Sequence, residues 1–279
     1  SIDTCLHGYV PYAHVDHVHS DAVIAIAASK DSEKLTKEVY GNEMGYLPWQ
    51  RPGIDLGIKL GKMATEHPEY VGVVLGSHGL FTWAKTAKDC YETTLRIINK
   101  TATWLDKNGK KPAFGGAAVN SLSPAERQAV VLRLLPEIRG RISKEEMKTG
   151  HFTDAPEVLE FVNGKMLAAL APLGTSCPDH FLRTKIRPVV IPHDAEGATL
   201  DKLIADYRAD YGRYYDRCKH PNSPKMRDPN AVIYLVPQVG MLSFAKDKAT
   251  ARVAAEFYVN AINVMRGASS VSSYVGLPE

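Results

Sequence analysis

The segment AHVDHVHSDAVIAIAA, residues 13–28, places two histidines, His17 and His19, two positions apart ahead of an apolar run. If both lie at the start of a β-strand, its period of two puts their imidazoles on one face, with Cα atoms about 6.6 Å apart. That spacing lets both rings reach one metal ion. Because two ligands leave a metal site incomplete, the chain must supply a third nitrogen or oxygen ligand, for which His78 is the candidate.

The His-x-His pair is weak evidence by itself. The chain has ten histidines, and a histidine is equally suited to donating a hydrogen bond to a backbone carbonyl. The surroundings of His78 favour the metal site. The run YVGVVL, residues 70–75, predicts a buried strand that ends in Gly76-Ser77-His78-Gly79. Because glycines flank this turn, the backbone can bend sharply and bring the imidazole close to the end of another strand.

Further elements follow from periodicity and end signals. The apolar run at residues 23–28 predicts a strand, residues 39–53 an irregular loop and residues 54–67 a helix. Residues 80–83 predict a second strand after the turn, and Thr86 with Asp89 predicts the start of a long helix. The predicted apolar stripe of that helix comprises Tyr91, Leu95, Ile98, Ala102 and Leu105.

The second half of the chain shows a similar alternation. Helices are predicted from Ser123-Pro124, over residues 154–170 and over residues 199–217, with a strand at residues 231–236. The basic residues at 183, 185 and 187 have the period of a strand with a cationic face, which suits either a solvated edge or an anion site.

The segment GMLSFAK, residues 240–246, matches GLFTWAK, residues 79–85, position by position. Each follows an apolar strand and precedes a helix. The match indicates a duplicated unit in which Val239 stands in the place of His78, so the second copy cannot supply that ligand. Coincidence is the alternative, because the matching run is short.

Composition excludes several classes of protein. With 279 residues, 34 basic against 31 acidic side chains and no block of like charge, nucleic acid is not the expected partner. No apolar run approaches the roughly 18 residues that span a bilayer, so no membrane association is expected. The four cysteines form no Cys-x-x-Cys pair, which favours a reducing cytoplasm. Because motif-dense sequence begins at once at Ser1, we expect that an N-terminal segment is missing.

Three segments, SIDTCLH, HVHSDAVIAIAA and GSHGLFTWAKTAKDC, resemble the class II aldolase and ribulose-phosphate epimerase family, which includes the adducin head domain. The resemblance covers residues 1–105. It implies an α/β, three-layer α-β-α fold with a central, mainly antiparallel sheet. It also implies that His17, His19 and His78 hold zinc, with Asp3 as their acidic partner. We expect an aldolase core at residues 1–112, then a helical insertion and a degenerate aldolase-like strand and helix unit at residues 113–279.

Beyond residue 105, PDHFLRTK (residues 178–185) and YLVPQVG (residues 234–240) resemble the aldolase portion of bifunctional rhamnulose-1-phosphate aldolase and lactaldehyde dehydrogenase proteins. Those proteins continue into a short-chain dehydrogenase domain, to which this chain could be fused in a longer protein. The resemblance implies retro-aldol cleavage of a sugar phosphate, L-rhamnulose 1-phosphate, to dihydroxyacetone phosphate and L-lactaldehyde, by a homotetramer with sites between subunits.

In this interpretation Asp3 acts as a base and Tyr40 as a proton donor across a subunit interface. The expected substrate contacts are Ser1, Ser77, Arg183 and Lys185. Position alone supports Tyr40, for which ordinary packing is the alternative. Taken alone, the position of Asp3 favours a turn or helix-capping residue.

The sequence departs from the family in two ways that keep other functions open. Ile2 stands where the family often has a second serine that holds the substrate phosphate. Asp3 matches the epimerases, whereas the simple aldolases have glutamate. A 4-epimerase of the same family and a non-catalytic, adducin-like binding module are therefore the alternatives, although a binding module has no need of three convergent histidines.

Overall fold

The computed structural model of the chain describes residues 3–278. It divides into two compact units. The first comprises Ser1–Lys111 with Asn263–Gly276, and the second comprises Pro112–Ile262 with Leu277–Glu279. Each unit contains one four-stranded sheet, where the sequence predicted a single central sheet. No helix among the described residues is long and apolar enough to cross a membrane.

The first unit holds a mixed, mainly antiparallel sheet. Its strands are β1 His14–Val18, β2 Met44–Leu47, β3 Gly72–Leu75 and β4 Gly79–Ala84, in the order β1-β4-β3-β2. Only β2 and β3 run parallel. Its helices are α1 Thr4–Tyr9, α2 Asp21–Ala27, α3 Ser32–Tyr40, α4 Ile54–Glu66 and α5 Ala87–Asn108, and the end of the last helix of the chain, from Asn263, also belongs to it.

The pleat of this sheet separates two cores and so creates three layers. Val73 and Phe81 pack on one face with residues of α1 and α4. Val74 and Leu80, one position along each strand, pack on the other face with residues of α2, α3 and α5. Because successive side chains of a strand point to opposite faces, two short buried strands can organise both helical layers. The predicted α/β fold with a mainly antiparallel sheet is confirmed.

The second unit also contains a mixed four-stranded sheet, with a different set of helices. Its strands are β5 Thr149–Thr153, β6 Val189–Val190, β7 Ile233–Val236 and β8 Gly240–Ala245, in the order β5-β8-β7-β6. Its helices are α6 Pro124–Ile142, α7 Pro156–Val162, α8 Leu167–Leu170, α9 Pro178–Thr184, α10 Gly197–Cys218 and α11 Lys248–Val271. The stretch predicted as a helical insertion thus contributes the strands β5 and β6.

The two sheets have the same strand order, directions and register. The tight turn pairs Leu75 with Gly79 in the first sheet and Val236 with Gly240 in the second. The first strand is antiparallel to the strand after the turn in both. The sequence match between residues 79–85 and 240–246 therefore has a structural counterpart, and positions in the two sheets can be compared one by one.

Residues 23–28 are not a strand, so that prediction was wrong. Val23 to Ala27 are all buried in α2, and α2 begins after Ser20. A short apolar run that is buried on every side has no periodicity that separates a strand from a helix. The strand instead precedes the run. It contains His17 and ends at Val18, one residue before His19.

Two other predictions in the first unit need correction. The predicted loop at residues 39–53 contains the end of α3 and all of β2, a short strand whose pairing with β3 is not visible locally. The buried face of α5 is also displaced by one position. Tyr91 is 60% exposed, whereas Thr94 and Thr101 are buried, because their hydroxyls find hydrogen-bonding partners within the unit.

In the second unit, the helix predicted over residues 154–170 is broken after Val162, where Asn163 and Gly164 form a turn between α7 and α8. The predicted strand with a cationic face does not form: Arg183 lies in the helix α9, which begins at Pro178, whereas Lys185 and Arg187 lie between α9 and β6. Proline suits the first position of a helix, and this signal outweighs the period-two spacing of the basic residues.

Candidate metal centre

His17 is held by two neighbours on β4. Its ring stacks on Phe81 with centroids 4.0 Å apart and planes at 12°. Its Nδ1 lies 3.0 Å from the carbonyl oxygen of Leu80, which can only accept, so Nδ1 carries the proton. Nε2 therefore presents its lone pair, the form in which a histidine binds a metal. Sequence reasoning missed Phe81 and Leu80, which only the β1–β4 register identifies.

His19 and His78 complete a triangle with His17. The ring centroids are 4.7 Å apart for His17 and His19, 5.0 Å for His17 and His78, and 5.2 Å for His19 and His78. One ring nitrogen from each histidine lies within 4.8 Å of the other two. The Nε2 atoms of His17 and His19 are 3.0 Å apart. Such convergence brings three nitrogen ligands to one point, as a three-histidine metal site requires.

The electrostatics of His17 favour the neutral ligand form. Burial, together with the charge of His19, lowers its pKa from 6.5 to about 4, against the opposing effects of the Leu80 hydrogen bond and the Asp3 carboxylate. A metal ligand must be deprotonated, so His17 is ready to bind at neutral pH without losing a proton. The charge of Asp3 raises the pKa of His17, while its role as the acidic partner stays a prediction.

The turn between β3 and β4 places His78 with little freedom. Ser77 has φ 51°, an uncommon value for a residue other than glycine, and its N–H donates to the Ala27 carbonyl oxygen at 2.9 Å. A Cβ on Gly79 would lie 2.6 Å from Cδ2 of His19 and 2.9 Å from the Val18 carbonyl oxygen. Glycine is therefore required at position 79 so that β1 and the turn can approach closely enough for the histidines to meet.

The second sheet has none of these histidines at the corresponding positions. The registers of β1 with β4 and of β5 with β8, together with the turns, define the three pairs. The pairs are His17 and Phe152, His19 and Asp154, and His78 and Val239. Among the described residues, the cluster able to hold a metal is that of the first unit.

Comparisons with known proteins match both parts of the chain to one family. The model described as "Class II Aldolase and Adducin N-terminal domain" matches residues 1–104, and that described as "Aldolase class II, second domain" matches residues 129–279. The second match alone spans more than half of the chain. The chain belongs to the class II aldolase family. In this family context, the histidine triangle is a candidate metal centre rather than a chance cluster.

Two relatives illustrate the extent of the similarity. YuxG of Bacillus subtilis (strain 168), described as an uncharacterized oxidoreductase, is 32% identical over 287 residues, which are 100% of this chain and 42% of YuxG. The chain thus spans less than half of the length of this relative. The solved N-terminal class II aldolase domain of a conserved protein from Thermoplasma acidophilum is 28% identical, covering 38% of this chain and 48% of that domain's chain, with a TM-score of 0.35.

Of the other residues predicted for an aldolase site, Ser77 lies next to His78 in the turn, and Ser1 falls outside the described residues. Tyr40 requires a correction. It is 3% exposed, packs in the core between the sheet and α5, and its hydroxyl is hydrogen-bonded to Thr101 Oγ1 at 2.6 Å. Burial raises the pKa of its phenol well above the usual range. Tyr40 therefore has the properties of a packing tyrosine, not of a proton donor that reaches a second subunit.

Arg183 and Lys185 lie in the second unit. The Arg183 guanidinium is 5.7 Å from the centroid of the Phe257 ring, and the Lys185 ammonium is 4.8 Å from that of Tyr211. Both side chains line a cavity formed by residues of the second unit. The structure thus places these two predicted substrate contacts together, in a cavity whose described lining contains none of the three histidines.

Proposed function

We propose that the chain is a zinc-dependent lyase that cleaves a ketose 1-phosphate by a retro-aldol reaction, with L-rhamnulose 1-phosphate as substrate and dihydroxyacetone phosphate and L-lactaldehyde as products. The observation that carries the proposal is the convergence of three imidazoles of a class II aldolase chain on one point. A set of nitrogen ligands with room for a further ligand suits zinc. An interaction module gains nothing from such a set.

The roles of the protein groups follow from their positions. When bound at His17, His19 and His78, the metal supplies Lewis-acid stabilisation of the negative charge that develops on the substrate as its C3–C4 bond breaks. We infer that Asp3 takes the proton of the C4 hydroxyl and returns a proton to C3 of the dihydroxyacetone phosphate product, a role supported by the effect of its charge on the pKa of His17. The Leu80 carbonyl keeps the proton of His17 on Nδ1, so that Nε2 stays a ligand.

The setting of this activity is also a proposal. None of the four cysteines forms a disulfide, which fits a reducing cytoplasm. Homotetramer formation is expected from the family resemblance. Because the relative YuxG is longer than this chain and is described as an oxidoreductase, we propose that the lyase works alongside a dehydrogenase domain that acts on its aldehyde product.

The test is a cleavage assay with a matched histidine control. L-Lactaldehyde release from L-rhamnulose 1-phosphate is measured for wild type, His78→Ala and His67→Ala. His67 is an exposed histidine of the same unit that pairs with Glu69. We expect activity in wild type and His67→Ala, loss of activity in His78→Ala, and loss in wild type on chelation that zinc reverses. Metal binding with C4 epimerisation instead of cleavage would identify an epimerase, and a metal-free, inactive wild type would identify a binding module.

A further inference from the structure

The second unit contains a cavity of about 700 Å³. This volume lies within the range of small-molecule sites. One wall is aromatic, formed by Tyr211, Tyr214 and Tyr215 of α10 with Phe181 of α9. Residues 223–228, which lie outside helices and strands, form another wall. The aromatic wall offers a flat apolar surface to the uncharged part of a ligand.

The cavity concentrates positive charge. It is lined by seven basic side chains, Lys148, Arg183, Lys185, Lys219, Lys225, Arg227 and Lys246, against two acidic ones, Glu146 and Asp228. The resulting formal charge of +5 exceeds the net charge of +3 of the whole chain. Charge of one sign gathered in a concave site attracts ligands of the opposite sign.

Two of the lysines are engaged with the protein and hold one wall in place. The Lys148 ammonium pairs with Asp228 at 2.5 Å and also with Glu146. The Lys185 ammonium donates to the backbone carbonyl oxygens of Asn230, at 2.5 Å, and Asp228. These contacts satisfy the two most enclosed cations and fix the segment that carries Arg227.

Four other cations of the cavity are differently placed. Arg183, Lys225, Arg227 and Lys246 are exposed, and within residues 3–278 none of them forms an ion pair with a carboxylate. Elsewhere in this unit, exposed basic residues such as Lys202 and Arg252 do pair with a neighbouring acid. The cations around the cavity are thus available to an anion from solution.

The backbone of Lys185 is strained. Its backbone has φ 63° and ψ −163°, a conformation that is nearly restricted to glycine. It follows the last residue of α9, where glycine is the common residue. The hydrogen bonds of its ammonium to the carbonyl oxygens of Asp228 and Asn230 hold the lysine at this position, which is a structural role in the cavity wall.

We propose that this cavity binds a small phosphate monoester, whose phosphate is bound by cations from the set Arg183, Lys225, Arg227 and Lys246 and whose uncharged part packs on the tyrosines of α10. Guanidinium and ammonium groups are the usual partners of phosphate, and guanidinium can contact two of its oxygens at once. The site needs no metal. Its described lining contains none of the three histidines, so this proposal is independent of the proposed lyase activity.

The test is calorimetric titration of the full chain with inorganic phosphate, ribose 5-phosphate, AMP and uncharged ribose. We expect at least one of the two phosphate monoesters to bind more tightly than inorganic phosphate, and ribose not to bind. Stronger binding of AMP would point to an aromatic occupant, and stronger binding of ribose 5-phosphate to a sugar occupant. Both results support the proposal.

Variants assign the binding to the cavity. The double variant Arg227→Gln with Lys246→Gln is expected to weaken binding at least tenfold. The control, Lys202→Gln with Arg252→Gln, removes the same charge from α10 and α11 outside the cavity lining and is expected to leave affinity within about twofold. His78→Ala is expected to keep the affinity of wild type.

Variants of Lys185 separate the effect of losing its side chain on binding from the effect of backbone strain on stability. Lys185→Gly is expected to weaken binding and to have a higher melting temperature than Lys185→Ala, because glycine relieves the backbone strain. The proposal is overturned if no phosphate monoester binds at millimolar concentration, if the cavity variants bind like wild type, or if affinity disappears in His78→Ala.

Discussion

The two sheets of this chain have the same strand order but carry different side chains at the positions of the three histidines. Each has a tight turn with a residue in the left-handed region, Ser77 at φ 51° and Gln238 at φ 70°, followed two positions later by a glycine. Each glycine lies against a carbonyl oxygen of the adjacent strand, so that a Cβ would meet it at 2.9 Å on Gly79 and 2.6 Å on Gly240. The first sheet carries His17, His19 and His78 on this turn and strand end, whereas the corresponding positions of the second sheet hold no histidine.

The second sheet fills the same positions with residues that need no ligand. Val239 is 1% exposed and packs in the core of its unit, and Phe152 packs against that core. Asp154 pairs with Arg127, whose Nε and Nη2 lie 3.0 and 2.9 Å from its Oδ2. The Arg127 guanidinium thus gives the Asp154 carboxylate a positively charged partner from the same unit. The comparison shows that the strand and turn geometry can persist without the metal-binding residues, so function has to be read from the site and not from the fold.

The largest expected effect comes from the residue beneath His17. Phe81→Ala should cost about 4 kcal/mol of unfolding free energy, because a fully buried ring leaves a cavity, and should also weaken metal binding roughly tenfold through the loss of the stack on His17. Its counterpart Leu242→Ala should cost about 3 kcal/mol and leave metal affinity unchanged. Urea unfolding and metal titration measure both. Equal metal affinity in the two variants would contradict the role of Phe81.

The turn glycines, Gly79 and Gly240, provide a second test of the difference between the two sheets. Gly79→Ala and Gly240→Ala should each lose about 2 kcal/mol of stability, since the new Cβ meets a backbone carbonyl oxygen. Gly79→Ala should in addition weaken metal binding at least tenfold, because its Cβ would lie 2.6 Å from a ring carbon of His19. If metal affinity survives in Gly79→Ala, the close approach is not what positions His19.

Removal of Asp154 tests the ion pair that the second sheet has in place of a histidine. Asp154→Ala should cost about 1.5 kcal/mol, at the low end for a charged hydrogen bond because the carboxylate is partly exposed, and should leave Arg127 without its partner. Thermal unfolding gives the change. An Arg127→Ala, Asp154→Ala cycle checks it, because a coupling energy near zero would show that the pair does not stabilise the unit.

The smallest expected effect is a pH dependence in the second unit. Burial raises the pKa of Asp228, but the hydrogen bonds from Lys148 and the Asn230 N–H and the charge of Lys185 lower it below its ordinary value of 3.8. Its contribution is therefore present above about pH 4 and is lost as the pH falls through the lower folded value. Asp228→Asn should cost about 1 kcal/mol at pH 6 and less near pH 3, measured by urea unfolding. An equal cost at both pH values would contradict the assignment.

How much the sequence predicts differs between local and long-range features. The helix at Ile54–Glu66, the turn around His78 and the start of α6 at Pro124 carry their signals within a few residues, in apolar spacing, glycines and the Ser123–Glu126 capping box. The three histidines could be brought together from the family resemblance before any register was known.

Other features depend on contacts that are remote in sequence. The sequence of α2 was predicted as a strand because the helix is buried on every side, so its apolar residues show no helical periodicity. The correct face of α5 depends on hydroxyl partners on other elements, such as Tyr40 for Thr101. The stack of His17 on Phe81 bridges residues 64 positions apart in sequence, and Lys185 lines a cavity with a segment some 40 residues away. Neither could follow from spacing.

The measurement that tests the central claim most directly is the metal content of purified wild type, His78→Ala and Val239→Ala by inductively coupled plasma mass spectrometry after loading with zinc. The account predicts about one zinc per chain in wild type and in Val239→Ala, and less than about a tenth of that in His78→Ala, because only the first sheet supplies three ligands. Equal zinc in wild type and His78→Ala, or none in wild type, would contradict it.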